Sequence, residues 1–360
     1  MKQITNPNIK IPSLITDFTP AWLTQALCHK YPDTTITDAA PVDSIMGTSS
    51  KIRLRLSYAK EGQSLPETVI IKGGFDEHSA LMRDMHEVEA RFYRDVQARL
   101  PMKSPECYFA GIDPENGHSV VIMEDLVPRQ VTWCHGQRPL GFAQVAAFLD
   151  AQASYHATFW DSADLQSGGE FDWMFGPFAP WCVEYLNRYT QPEVWAHYMS
   201  LPRGAAVPMR LHDCKRIERA LSQLADLHKS QPPCIVHGDT HLGNLYLEAD
   251  GTPGFLDMQV RKSVWVQDVA YHMVAALDIE DRRRWERPLL TRYLEHLRNQ
   301  GVKTPSFEEA WLLYRCELVY GLFIFLINEV KFQSEAVNTA CAARFAAAVI
   351  DHDSLDLLGT

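Results

Sequence analysis

The chain has no C-x-x-C pair and no short repeating cysteine spacing; its eight cysteines lie scattered at positions 28, 107, 134, 182, 214, 234, 316 and 341. That pattern excludes a disulfide frame and a zinc knuckle and points to reduced thiols. Basic charge is not in excess either. With 34 Lys and Arg against 45 Asp and Glu, the formal net charge is -11, the opposite of the basic face a nucleic-acid partner requires, although a local basic pocket for phosphates is still allowed. Long apolar runs are missing: the longest, residues 318–327, contains Gly321 and is well short of the roughly 18 residues of a membrane span. It reads as a buried core helix. The N-terminal Met1-Lys-Gln-Ile-Thr-Asn-Pro lacks the apolar segment of a secretory leader. The expectations are therefore a cytoplasmic protein with no nucleic-acid, membrane or obligate protein partner.

What is present is an ordinary globular composition, 46% hydrophobic and 22% charged over 360 residues, more than one average core and enough for two lobes. Residues 1–40 read as a helical lead-in, with Thr19 as N-cap and Pro20 at the first helical position of a short helix. Strand patterns follow. Residues 44–56 are a turn and then clean alternation, residues 68–74 a strand ending in Lys72 before paired glycines, and residues 119–126 a buried strand. Between these, residues 82–100 carry apolar residues at helical intervals and stop at Pro101. Beyond them strands become scarce. Residues 140–230 and 265–355 look mainly helical, and the lobe boundary is placed at residue 126.

The richest stretch is Cys234-Ile-Val-His237-Gly238-Asp239-Thr240-His241-Leu242-Gly243-Asn244, followed by Gly254-Phe-Leu-Asp257-Met-Gln259. An apolar run opens on His-Gly-Asp, an Asn comes five residues after that Asp, and a second apolar strand ends in Asp. Phosphoryl transfer needs such parts: one carboxylate to orient the attacking hydroxyl, and a carboxamide with a second carboxylate to hold magnesium ions on nucleotide phosphates.

The earlier segments supply matching pieces. Backbone N–H groups of the turn at 47–51 can approach a polyphosphate closely because Gly47 has no Cβ, and the hydroxyls of Ser49 and Ser50 can donate. Lys72 stands where a strand lysine can neutralise phosphate charge. Glu89 on the following helix can pair with it, with Glu87, on a different helix face, as the rival. The order of glycine turn, lysine strand, glutamate helix, buried strand and helical domain is that of a bilobal kinase.

These motifs resemble the aminoglycoside phosphotransferase and choline kinase superfamily, and within it the ecdysteroid-kinase-like branch. The H-G-D-x-H-x-x-N loop at 237–244 and the D-x-Q segment at 257–259 carry the likeness, supported by Met123-Glu-Asp-Leu126, Tyr155-His-Ala-Thr-Phe-Trp160 and residues 344–353. The resemblance implies an α+β, protein-kinase-like fold: residues 1–126 a lead-in helix and nucleotide-binding lobe with an antiparallel sheet, residues 127–360 a larger helical lobe with the catalytic loop and acceptor pocket. It implies an ATP- and Mg²⁺-dependent kinase acting on a small-molecule hydroxyl. Asp239 would be the catalytic base, Asn244 and Asp257 the magnesium ligands, Lys72 and Glu89 the phosphate-positioning pair. Backbone near Glu124 and Leu126 would hold adenine. His237 and Asp268 match positions that brace the loop, and His241 could face the phosphate or pack the loop. Gln259 in place of the glycine of D-F-G, with no A-P-E after it, argues against a protein kinase.

Two other classes compete. A metal-dependent hydrolase could use His237, Asp239 and His241 as alternating ligands, but it leaves Asn244, Asp257, Lys72 and the Gly47 turn without a task. A kinase relic that binds nucleotide without chemistry has no support from the intact motif set. For the acceptor, Trp133, Trp160, Trp173, Trp181 and Trp195 crowd residues 133–198. An aromatic pocket suits an apolar or amphipathic alcohol better than a polycationic aminoglycoside; a choline-like or aminoglycoside acceptor is the alternative, since aromatic faces also suit a cationic head.

Overall fold

A computed structural model describes residues 9–45, 49–60, 65–75 and 82–360. The chain forms two units, one of residues 1–131 with 256–259, the other of residues 132–255 with 260–360. Together they give an α+β, kinase-like architecture.

The first unit is built on an antiparallel sheet of five strands in the order β1 (Ile36–Ile45), β2 (Ser50–Tyr58), β3 (Thr68–Gly73), β5 (Ser119–Glu124), β4 (Cys107–Ile112). The alternation of β2 sends Ile52, Leu54 and Leu56 inward, where they meet Val69, Ile71, Phe109 and Ile122. Helix α1 (Pro20–Leu27) caps that face with Leu23, Ala26 and Leu27, and its start is fixed by Thr19 Oγ1 accepting from Trp22 N at 3.2 Å. The helical lead-in expected over residues 1–40 is shorter than that, because the run from Thr34 opens the edge strand β1. Pro41, which cannot donate to a ladder, sits on that edge beside a bulge.

The helix expected over residues 82–100 changes winding along its length. Helix α2 (Arg83–Arg91) passes into a π-wound turn (Phe92–Val96) and a 3₁₀ turn (Gln97–Arg99). Phe92 and Tyr93 are consecutive and both buried, and the wider turn accommodates them. Strand β4 escaped the sequence reading since it is buried on both faces and shows no alternation.

The second unit is mainly helical: α3 (Phe142–Thr158), α4 (Pro180–Asn187), α5 (Pro192–Ser200), α6 (Pro202–Ala205), α7 (Cys214–Lys229), α8 (Val266–Ala276), α9 (Ile279–Asn299), α10 (Phe307–Ile327), α11 (Glu335–Asp351) and α12 (Ser354–Leu357). Two small antiparallel sheets interrupt the helices. One joins β6 (Thr132–Trp133), β8 (Leu245–Leu247) and β9 (Pro253–Phe255); the other pairs β7 (Cys234–Val236) with β10 (Arg261–Ser263). Strands β6 and β10 are too short to leave a periodic signal. Arg344 of α11 ties the helical layers together by donating to the carbonyls of Gly136 and Ala275, both at 2.8 Å. The apolar run at 318–327 belongs to α10, a 21-residue helix whose best 18-residue window has mean hydropathy 1.7. It is thus longer and more apolar than the run alone suggested; 78% of that window is buried, packed with α8 and α11.

Candidate active site

In the second unit, β7 delivers three buried residues into the polar loop, and the chain reverses at Gly238, whose φ of 85° lies in the left-handed region. A side chain there would be strained, so glycine is required. The turn aims two successive N–H groups at one buried carboxylate. His237 N donates to Asp268 Oδ2 at 2.6 Å, and Gly238 N to Asp268 Oδ1 at 2.9 Å. Asp268 lies in the first turn of α8, where the helix N-terminus favours negative charge. Tyr155 from α3 adds its hydroxyl at 2.6 Å, and His156 Nε2 stands 3.3 Å away. Burial pushes the Asp268 carboxyl up, but the hydrogen bonds and charges around it, chiefly from His156, outweigh that and hold it below the usual range. Burial lowers His156 in turn. The network assigns its Nε2–H to Asp268 while Nδ1 accepts from the Tyr293 hydroxyl at 2.8 Å.

Thr240 completes the suspension: its hydroxyl donates to the Asp268 carbonyl at 3.0 Å, and its own carbonyl accepts from His272 Nδ1 at 3.3 Å. Burial pushes the His272 imidazole down to about 4. His237 Nδ1 accepts from Asp239 N at 3.2 Å, so His237 and Asp268 brace the loop.

The braced loop presents Asp239, whose side chain is 33% exposed. Asn244 Nδ2 donates to Asp239 Oδ2 at 2.9 Å and to the Asp239 carbonyl at 3.0 Å. His241 Nδ1 accepts from Gly243 N at 3.0 Å, which leaves its Nε2 toward Asp239 Oδ2 at 3.4 Å. Two ring nitrogens that a hydrolase would need for metal are therefore committed to backbone. Among the described residues no cluster of His, Cys, Asp and Glu has a metal-holding arrangement, which corrects the alternative built on His237, Asp239 and His241.

Arg261 of β10 pairs across from Val236, three residues before Asp239, and donates to the Tyr320 hydroxyl at 3.0 Å. Burial pulls its guanidinium down, and Tyr320, Cys182 and Asp239 hold it up. Aromatic rings reach the loop from α8 and α10: Phe325 contacts His241, and Tyr271 stacks on Phe325 at 5.4 Å. The tryptophans picked out by sequence are placed differently. Trp133 is 49% exposed against Tyr246, while Trp195 is buried, stacked on Phe323 and donating to the His212 carbonyl. Trp181 pairs with Phe175.

In the first unit, the buried Lys72 places Nζ 2.8 Å from Glu89 Oε1 and 2.6 Å from Asp257 Oδ1. Glu87 pairs instead with Arg91. Asp257 has φ 55°, a left-handed conformation that Asp tolerates better than most residues. Its second oxygen, Oδ2, accepts from Lys51 Nζ at 3.0 Å. Burial raises the Asp257 carboxyl, but Lys51 and Lys72 dominate and hold it well below the usual range; Lys72 is raised because Asp257 and Glu89 outweigh its burial. Glu89 is pushed up by burial. Lys51 was missed by sequence reasoning. The signal was its position: Lys51 and Lys72 are direct partners across β2 and β3, and two opposed lysines need a shared counter-ion.

Ser49 and Ser50 are buried where β2 begins, and Gly47 lies outside the described residues. At the expected hinge, the Glu124 N–H donates to the Glu106 carbonyl at 2.8 Å and the Leu126 carbonyl accepts from Arg129 N at 3.0 Å. The Glu124 carboxylate is held by Arg129 at 3.0 Å. Those groups are committed within the protein, which narrows the expected adenine contact there: the Leu126 N–H has no backbone acceptor among the described residues. Asp125 fixes the segment by accepting from Arg53 Nε at 2.7 Å, Thr68 Oγ1 at 2.6 Å and Val127 N at 3.0 Å.

Comparison with known proteins adds the family. No curated protein matches the sequence. A choline kinase from Cryptosporidium parvum shares 12% identity at a TM-score of 0.50, over 95% of this chain and 96% of its own. A choline kinase from Streptococcus pneumoniae shares 10% at 0.49, over 91% and 98%. A type I macrolide 2'-phosphotransferase shares 15% at 0.48, over 88% and 96%. Such identities speak to fold alone. The model of the phosphotransferase enzyme family matches residues 77–307, well over half of the chain, and the chain belongs to that family.

Proposed function

We propose that this phosphotransferase is an ATP- and Mg²⁺-dependent small-molecule kinase of the ecdysteroid-kinase-like branch, transferring the γ-phosphate to an alcohol. One observation carries the reading: a buried strand lysine, Lys72, pairs with Glu89 of the following helix at 2.6–2.8 Å and brings Asp257 to the same ammonium; phosphate positioning uses such a lysine–glutamate pair. Asp239 accepts the proton of the acceptor hydroxyl and orients it. Asn244 keeps that carboxylate in place. Lys72 meets nucleotide phosphate, with Glu89 fixing its ammonium, and Ser49 and Ser50 border the polyphosphate.

The residues fit magnesium. Asn244 gives its Nδ2 to Asp239, so its Oδ1 accepts no hydrogen bond among the described residues, and Asp257 is a carboxylate kept ionised. Both are the hard oxygen donors that Mg²⁺ prefers. Each would offer an oxygen to magnesium, and the ion would supply positive charge to the nucleotide phosphates.

The acceptor is an apolar or amphipathic alcohol. Tyr271, Tyr320 and Phe325 are buried rings packed beneath the loop that make its surroundings apolar, and Arg261 is a cation within electrostatic reach of Asp239. A polycationic aminoglycoside calls for carboxylates instead. Choline, the substrate in the name of the Cryptosporidium neighbour, is the second candidate, because aromatic faces also hold a quaternary ammonium.

Thermal unfolding with ATP, with and without Mg²⁺, tests the site before the acceptor is known. Wild type should gain about 2.7 kcal/mol at roughly a hundredfold excess over Kd, and Asp257→Ala should lose the Mg²⁺-dependent part. Equal responses of the two proteins would refute the assignment. A phosphate-transfer screen of apolar alcohols, choline and aminoglycosides then tests the acceptor class, which fails if only aminoglycosides are phosphorylated.

A further inference from the structure

The two lysines on Asp257 are not equivalent. Lys72 is 5% exposed and held by two carboxylates, Glu89 and Asp257. Lys51 is 38% exposed, and among the described residues its ammonium pairs with Asp257 only. Asp257 Oδ2 is thus held by the cation that can leave more easily, Lys51, the second residue of β2. A divalent cation and an ammonium group repel when both sit on one carboxylate oxygen. When a metal takes Oδ2, Lys51 needs another anion, and a polyphosphate supplies one.

Resting on the nucleotide site proposed above, we infer that Lys51 is a phosphate-positioning residue with two partners. In the nucleotide-free chain it occupies Asp257 Oδ2. When the metal–nucleotide complex arrives it moves onto a phosphate oxygen and yields Oδ2 to the metal. Metal alone has to break the Lys51–Asp257 pair without that compensation, so it binds poorly. Nucleotide and metal therefore enter together. The pair also gives the opposed lysines of β2 and β3 a shared counter-ion between turnovers.

The test compares wild type, Lys51→Met and Lys51→Arg in two binding measurements. Mn²⁺ alone is titrated by water-proton relaxation, and Mg²⁺·ATP by thermal unfolding. Lys51→Met should bind Mn²⁺ about fivefold more tightly than wild type and Mg²⁺·ATP about fivefold more weakly. Lys51→Arg, which keeps a cation, should stay near wild type in both. A residue that only supports the strand would weaken both ligands together or neither. Mn²⁺ affinity unchanged or reduced in Lys51→Met overturns the exchange, and unchanged Mg²⁺·ATP affinity overturns the phosphate contact. Should Lys51→Met not fold, Lys51→Gln replaces it under the same criteria. If wild type itself shows no Mg²⁺-dependent response to ATP, the nucleotide site falls; if wild type responds and Lys51→Met matches it, only the role of Lys51 falls.

Discussion

The 237–244 loop and the Lys51–Lys72–Glu89–Asp257 cluster are held by opposite means. The loop hangs from α8 by backbone N–H groups, a threonine hydroxyl and an imidazole, with one buried carboxylate at the centre. Nothing in that suspension needs to change partner when a ligand arrives. The cluster consists of two ammonium groups and two carboxylates that neutralise one another, and a polyphosphate with its metal would repartition the two pairs on Asp257 while Glu89 keeps Lys72. A fixed support suits a group that must aim at a reacting hydroxyl; exchangeable ion pairs suit a group that must admit and release a charged ligand.

The largest effect that could break this contrast comes from Asp239→Asn. It retains a side chain that Asn244 can hold but removes the proton acceptor. Turnover should fall about 10²- to 10⁴-fold, the usual contribution of general base catalysis, while Mg²⁺·ATP affinity from thermal unfolding stays at the wild-type value. Asp257→Ala should show the reverse emphasis, with nucleotide binding itself impaired. Full turnover in Asp239→Asn would remove the loop from the chemistry.

Next in size is the support. Asp268→Ala strands the N–H groups of His237 and Gly238 and the Tyr155 hydroxyl in a buried site. Each buried donor left without its partner costs about 1–3 kcal/mol, so the loss should amount to several kcal/mol, to be read from denaturant midpoints. A loss below about 1 kcal/mol, the scale of an ordinary hydrogen bond, would mean that the loop is held by something other than Asp268.

How far the sequence revealed each region follows from the same contrast. The loop is a contiguous string, so His237, Asp239 and Asn244 could be picked out from identity and offset, and the structure brings them together; Gly238 announced its own turn. Three strands of the first sheet, β2, β3 and β5, and the helical remainder followed from alternation and helical spacing, whereas β1 was read as part of a helical lead-in and β4 showed no alternation. The cluster is assembled from four distant segments. Lys72 and Glu89 were legible through their order along the chain, but Lys51 became visible only once strand register set it opposite Lys72. The left-handed backbone of Asp257 left no mark either, because an aspartate, unlike a glycine, has an obvious alternative reason to be present. The rings beside the loop were not picked out by sequence. The tryptophans of 133–198 are spread over a strand, turns and two helices, and only Trp195 is buried, whereas the rings touching His241 and its neighbours come from α8 and α10.

Acid pH should separate the two regions without mutation. His272 titrates near 6.5 when unfolded and is pushed down to about 4 by burial. Its folded value is the lower one, so the unfolded chain binds the extra proton between those limits. The neutral imidazole's contribution is therefore complete above pH 6.5 and is lost as pH falls toward 4, about 3 kcal/mol in all. His156, lowered by the same cause, adds in the same direction. The cluster does not follow. Asp257 is held well below the usual range, so its contribution survives until pH drops beneath 4, and Glu89, raised by burial, shifts the balance the other way. Hydrogen exchange at pH 7 and pH 5 should accordingly show residues 236–244 and the start of α8 opening more readily at pH 5, with β3 and α2 much less affected. His272→Gln should flatten that pH dependence in part, leaving the share due to His156. Uniform loosening of both regions, or an unaltered slope in the variant, would place the acid sensitivity elsewhere than beneath the loop.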